Sequence, residues 1–169
     1  EGVLFLLTAD SLAGVLPTIR SRCVSFAVAP VAPEVCARYC TAHGVDKKTA
    51  ALYSELFDGH IGTVLHAAKD EARRAQVEKA LDLARAAAAK DSYAAAVLLA
   101  PCEKDKAGAA ALLEDFRAVA AAGLRQSPHA PVQGQTAQRA LRLAEAAIQR
   151  LGAQVNPKIV LSGFAAKLG

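Results

Sequence analysis

From Pro33 onward, the chain shows one apolar stripe after another at the spacing of an amphipathic α-helix. Residues that start or stop helices separate these stripes: Asp46, Asp91 and Asn156 can cap helix N-termini, and Gly44 follows a helix end. Roughly a quarter of the residues are alanine, the best helix former, whereas Trp and Met are absent. The sequence therefore predicts a mainly α fold whose helices pack closely through small side chains.

Helix length divides this part of the chain in two. Residues 32–70 are predicted to form three short helices, at 34–42, 47–57 and 61–68, a module the size of a lid rather than of an independent domain. Residues 71–169 are predicted to form a bundle of about five helices, at 71–90, 91–99, 106–125, 135–151 and from 157 onward. We expect these to be two structural units.

Residues 1–31 differ from the rest of the chain. Val3 to Thr8 form an apolar run ended by the polar residues 8–11, and Val24, Phe26 and Val28 alternate with smaller or more polar residues within 23–28. These patterns predict two β-strands. Two parallel strands cannot form a sheet that is covered on both faces. We therefore expect residues 1–31 to be the C-terminal remnant of a larger α/β domain, with a boundary at the prolines of 30–33.

Charge and cysteine content limit the class of protein. The net charge is +4, from 20 Lys and Arg against 16 Asp and Glu, which permits nucleic-acid binding without diagnosing it. Four cysteines, without a secretory signal or the spacing of a disulfide framework, predict reduced thiols. No run approaches the roughly 20 apolar residues of a membrane-spanning helix. We expect a cytoplasmic protein with no membrane partner.

No complete catalytic site is recognisable in the sequence. It contains no phosphate-binding loop, no dinucleotide-binding glycine motif and no nucleophile elbow. Cys36, Cys40 and His43 have spacings that place them on one helix face, the nearest approach to a metal site. A fourth ligand is not evident, and cysteines on a helix face are commonly small core residues. We therefore predict no metal site.

The remaining histidines and the short basic pairs are predicted to lie on the surface. His60, His66 and His129 have no matching nucleophile or carboxylate pair nearby in the sequence. The pairs Lys-Lys at 47–48 and Arg-Arg at 73–74 can each contact a phosphate, but short basic pairs on helices are usually solvated. Contact with DNA is the less favoured interpretation of these pairs.

The segment between the two predicted strands carries the most specific motif. Residues 5–10 (Phe-Leu-Leu-Thr-Ala-Asp) are followed by Leu-Pro-Thr-Ile at 16–19, by Ser21-Arg22-Cys23 and by a strand. This order closely resembles the clamp-loader family of AAA+ proteins. The resemblance implies that Arg22 acts in trans as an arginine finger on ATP bound by a neighbouring subunit, with Ser21 and Cys23 completing the motif and Thr8 at the sensor-1 position. A guanidinium fork can stabilise charge that develops on a γ-phosphate.

The resemblance extends through the rest of the chain. Asp58 to Leu65 resembles the start of the third lid helix in that family, but Thr63 holds the position of the sensor-2 arginine. Threonine cannot supply the cation that an ATP-hydrolysing subunit uses there. Residues 155–161 (Val-Asn-Pro-Lys-Ile-Val-Leu) resemble the closing helix of bacterial delta-prime subunits, the non-hydrolysing subunits of the DNA polymerase III clamp loader. Between 71 and 154 the similarity is mainly one of helical pattern.

This resemblance implies a subunit that helps to load the sliding clamp on primed DNA during replication. The complex to which the subunit belongs would include a DNA polymerase, and the polymerase is a nucleotidyltransferase. Its partners would be the gamma/tau and delta subunits, through a helical collar at 71–169, and the sliding clamp and primed DNA, through the complex. The chain would hold no cofactor itself, because the ATP that it contacts is bound by the neighbouring subunit. Alone it would be catalytically inert. Two alternatives remain: a piece of the ATPase (gamma/tau) subunit, and a free-standing helical module that binds protein or DNA.

Overall fold

The computed structural model describes residues 2–9 and 11–169, which contain nine α-helices and two 3-10 helices but no β-strand. The α-helices are α1 (Pro17–Arg20), α2 (Pro33–Ala42), α3 (Lys47–Leu56), α4 (Ile61–Lys69), α5 (Glu71–Ala89), α6 (Ser92–Leu99), α7 (Lys106–Leu124), α8 (Gly134–Gly152) and α9 (Pro157–Leu168). The 3-10 helices are Leu12–Gly14 and Ala100–Cys102. Within the described ranges, no helix combines the length and apolarity needed to cross a bilayer. The predicted mainly α fold is confirmed.

Polar side chains cap five of the α-helices. The Asp46 carboxylate accepts hydrogen bonds from two backbone N–H groups at the start of α3, both at 3.0 Å. The side chains that cap α5, α6, α7 and α9 in the same way are Asp70, Asp91, Asp105 and Asn156. These bonds satisfy amide groups that have no partner within the helix. The caps predicted at Asp46, Asp91 and Asn156 are confirmed.

Helices α2, α3 and α4 pack together as a three-helix module. Tyr53 is buried in its core and meets Phe57 edge-on, with ring centroids 6.0 Å apart. The turn between α3 and α4 has positive φ at Asp58 (52°) and Gly59 (73°). A Cβ atom at Gly59 would overlap the carbonyl group of Val31, whose N–H donates to the Gly59 carbonyl at 3.4 Å. Glycine at this position therefore lets the chain that enters α2 lie directly against the turn.

Helices α5 to α9 pack as the five helices predicted for the rest of the chain. α7 lies between α5 and α8, and α6 packs on α9. Phe116 of α7 meets Phe164 of α9 edge-on, with centroids 5.5 Å apart. A Cβ atom at Gly123 would overlap the backbone of Val132, so the lack of a side chain permits this close approach. Many of the other buried positions are alanines, as the composition predicts.

The module and the bundle share one contiguous apolar core. Polar contacts add to it: Arg125, after α7, donates to the carbonyl of Glu55 at 3.1 Å, and its Nε lies 3.5 Å from an oxygen of Asp58. The Ser127 hydroxyl donates to the Glu55 carboxylate. The turn between α3 and α4 is therefore held against the end of α7.

Neither of the two predicted strands is present, and that prediction is wrong for the described residues. Segments 3–8 and 23–28 have no regular secondary structure, and the large apolar side chains within them are at least 66% exposed. The physical reason is that a strand needs a neighbouring strand for its backbone hydrogen bonds, and no backbone bond joins these segments. Glu1 and Asp10, which flank the first predicted strand, lie outside the described residues.

Candidate functional site

Arg22 lies on an exposed turn that directly follows the short helix α1. Pro17, at the first position of α1, favours the helical backbone angle there. The N–H of Arg22 donates to the carbonyl of Ile19 at 3.0 Å, and the Ser21 hydroxyl donates to the carbonyl of Thr18 at 3.2 Å. Ser21 and Arg22 therefore form a hydrogen-bonded turn.

The guanidinium of Arg22 has no carboxylate within ion-pair distance in the part of the chain that the structure describes. Arg20, two residues earlier, is also exposed and without an ion pair in that part. Arg20 and Ser21 line a shallow open concavity together with Leu12, Pro17 and Ser25. Since a guanidinium is always charged, this turn offers positive charge to another molecule.

The other predicted site residues do not join Arg22 in one site. Thr8 is exposed in a segment without regular structure, and Cys23 is exposed directly after the turn. Thr63 is exposed in the first turn of α4. No side-chain hydrogen bond among the described residues connects Thr8, Thr63 and Arg22. Over residues 2–9 and 11–169 the arrangement provides a cationic turn and no assembled catalytic centre.

Cys36, Cys40 and His43 also occupy different environments. Both cysteines are fully buried in the module core, whereas His43 is exposed, stacked on Tyr39 with centroids 4.0 Å apart. The Nδ1 atom of His43 is 2.8 Å from the carbonyl oxygen of Tyr39. Among residues 2–9 and 11–169 no group of three His, Cys, Asp or Glu side chains is arranged to hold a metal ion. The two cysteines act as small core residues.

Burial and the adjacent Cys36 raise the pKa of the Cys40 thiol to about 11. A thiol with a raised pKa is protonated at neutral pH and is a poor nucleophile. Cys102 is partly buried, and this desolvation raises its pKa as well. Cys23 is the one exposed cysteine of the four.

We expect a thiol reagent at about pH 8 to modify Cys23 of the folded protein at least roughly a hundredfold faster than Cys40. Cys23→Ser should remove the fast phase, and denaturant should release the slow thiols together. Reaction of Cys40 should accelerate as the pH rises toward its pKa. Equal rates for all four thiols in the folded protein would contradict this prediction. Stopped-flow absorbance provides the rates.

A buried ion pair on the bundle was missed by the sequence reasoning. Arg73 forms an ion pair with Asp115 of α7, and Gln76 donates to the same carboxylate at 2.8 Å. The guanidinium also lies 5.7 Å from the ring centroid of Phe57 in the three-helix module. Its hydrogen bonds to Asp115 raise the pKa of Arg73. One sequence signal could have predicted this pair. Asp115 lies inside the apolar stripe of α7, and a buried carboxylate needs a cationic partner.

Comparisons of the chain with protein families, curated proteins and solved structures found no match.

Proposed function

We propose that this chain is part of a delta-prime subunit of a bacterial DNA polymerase III clamp loader, which helps to load the sliding clamp on primed DNA. The observation that carries the proposal is the exposed, hydrogen-bonded turn of Ser21-Arg22-Cys23, whose guanidinium has no carboxylate partner among the described residues. An arginine with no carboxylate partner in that part of the chain is available to the γ-phosphate of ATP held by a neighbour.

The order of the units supports this proposal. The Arg22 turn precedes the three-helix module α2–α4, which is followed by the bundle α5–α9, as in the lid and collar of that family. Thr63, exposed at the start of α4, offers no cation to a nucleotide of this chain. The subunit would therefore not hydrolyse ATP. As a clamp-loader subunit it would act in the cytoplasm and would meet the clamp and primed DNA within the assembled complex. An upstream phosphate-binding loop in the parent protein would instead favour the ATPase subunit.

The apolar face of α6 is the best candidate for the collar contact with the gamma/tau or delta subunits. No residue from Ser92 to Cys102 is charged, and a helix that is apolar on all sides is usually buried. In this chain, however, Tyr93 is 79% exposed and Val97 is 55% exposed, and Ile159 of the adjoining α9 is exposed too. Exposed aromatic and aliphatic side chains of this kind anchor protein interfaces.

We expect Tyr93→Ser with Val97→Ser to weaken incorporation into a clamp loader reconstituted from the same source by at least about tenfold. The physical reason is the loss of apolar area that the partner subunit would bury. The matched control is Val35→Ser with Tyr39→Ser, an exposed pair of the same residue types and spacing on α2. Sedimentation velocity measures assembly, and circular dichroism measures folding.

Equal weakening by both double variants would contradict the α6 contact. Failure of the unaltered chain to join any clamp-loader subunit would contradict the proposed function itself. It would favour the free-standing helical module.

A further inference from the structure

Helix α8 has a solvent face with an unusual set of polar residues. Arg139, Arg142 and Arg150 are all exposed. Arg142 and Arg150 follow Arg139 by three and eleven residues, which places all three on one face of the helix. The exposed glutamines of the same helix are Gln135, Gln138 and Gln149. Glu145 is the only acidic residue of α8. We call Arg139, Arg142 and Arg150 the α8 arginine stripe.

The stripe differs from most arginines of α5 and α7, which form an ion pair within the protein. Arg85 pairs with Asp82 and Arg117 with Glu114, each three residues away on the same helix. Arg73 pairs with Asp115, and Arg74 donates to a backbone carbonyl. In the described part of the chain no stripe arginine has a carboxylate within ion-pair distance. Arg139 instead donates to the backbone carbonyls of Lys167 and Gly169, and Arg142 and Arg150 have no side-chain hydrogen bond among the described residues.

Two lysines extend this positive surface. Lys90, after α5, lines a cavity of about 180 Å³ together with Arg139, Thr136 and Gln135, and no acidic residue lines it. Arg139 donates to the carbonyl of Lys167 at 2.7 Å, which places the end of α9 beside the stripe. Counted together, Lys90, Lys167 and the stripe bring five cations against two carboxylates, Glu145 of α8 and Asp91, the residue after Lys90.

The composition of the stripe favours phosphate groups as its ligand. Guanidinium forks and amide N–H groups are the usual donors to phosphate oxygens. The exposed positions of α8 carry no aromatic or large aliphatic side chain, which a membrane-inserting helix or an apolar protein interface would require. Single-strand binding surfaces use aromatic rings to stack bases, and these are absent from α8 as well. A duplex backbone needs only the charges and donors that α8 has.

We propose that the α8 arginine stripe binds the phosphate backbone of duplex DNA without reading its sequence. Arg139 and Arg150 are about 16 Å apart along the axis of α8, a length that spans several phosphates of one strand. The proposed function requires DNA only through the assembled complex, so this inference adds a direct contact made by this chain.

The test is fluorescence anisotropy of a labelled DNA duplex with the chain alone, at about 50 mM and about 200 mM salt. The variant is Arg142→Gln with Arg150→Gln, because neither side chain has a hydrogen-bond partner to lose among the described residues. The matched control is Arg85→Gln with Arg117→Gln, which removes the same charge from exposed, paired arginines on α5 and α7.

We expect the α8 variant to bind at least about tenfold more weakly and its salt slope to fall by about two, while the control loses less than about twofold. Equal losses in both variants, or no binding by the unaltered chain, would overturn the proposal. Tighter binding to single-stranded DNA, or equal binding to anionic lipid vesicles, would overturn it too. No other clamp-loader subunit is present, so such a failure leaves the assembly and Arg22 predictions standing.

Discussion

Arg22→Ala is expected to lower ATP hydrolysis at the adjacent motor site of the assembled clamp loader by roughly a hundredfold or more. A finger supplied in trans stabilises negative charge on the transferring phosphoryl group, which neutral alanine cannot do. The Arg22 turn is exposed, so the substitution leaves no buried partner behind. Steady-state hydrolysis with clamp and primed DNA present is the measurement, after size-exclusion chromatography has verified that the complex is intact.

Two further variants separate the finger from general positive charge. Arg20→Ala removes another exposed arginine two residues away and should change the rate by less than about threefold. Arg22→Lys keeps the charge but loses the planar fork, so most of the rate should remain lost. An unchanged rate for Arg22→Ala in an intact complex would reduce Ser21-Arg22-Cys23 to a structural turn.

Asp115→Ala is expected to lower the free energy of unfolding by about 3 kcal/mol. The Asp115 side chain is 6% exposed and accepts bonds from both Arg73 and Gln76. Its removal leaves the guanidinium of Arg73 partly buried without a counter-charge, which is costly because desolvation is no longer offset. The three-helix module should be destabilised as well, since Arg73 also lies over the ring of Phe57. Urea denaturation followed by circular dichroism measures it.

The control for this prediction is Asp82→Ala, which breaks an ion pair whose carboxylate is 50% exposed. Its cost should stay below about 1 kcal/mol. Asp115→Asn keeps the volume and one acceptor and should lose less than Asp115→Ala. Replacing Arg73 and Asp115 together by leucine should also lose less than Asp115→Ala alone, because no charge is stranded. Similar losses for Asp82→Ala and Asp115→Ala would contradict the importance of the buried pair.

The positions of α2 to α9 were predictable because their signals are local, whereas the short helix α1 was not predicted. Asp46 caps α3 through amides two and three residues away, and Asn156 with Pro157 begins α9 where the sequence predicts it. An α-helix satisfies its backbone hydrogen bonds within about four residues. The spacing of apolar residues and the capping residues thus suffice for its bounds to within a few residues.

The two strands were not predictable in the same way. A run such as Val3 to Leu7 is compatible with a strand, but a strand forms only beside another strand. No partner strand exists among the described residues. The candidate site likewise depends on Arg22 having no carboxylate partner among the described residues. Which carboxylates approach an arginine depends on tertiary packing, and sequence spacing carries no such information.

The sequence by itself determined the mainly α fold, the bounds of α2 to α9 to within a few residues and the N-terminal caps at Asp46, Asp91 and Asn156, because each depends on residues a few positions apart. Only the tertiary structure decided the long-range polar contacts. Asp115 meets Arg73 across 42 residues and Ser127 meets Glu55 across 72. It also decided that α6 keeps Tyr93 exposed and that the α8 stripe has no ion pair in the part of the chain that the structure describes. These features depend on which helices pack side by side, and burial and pairing follow from that packing rather than from the chain order.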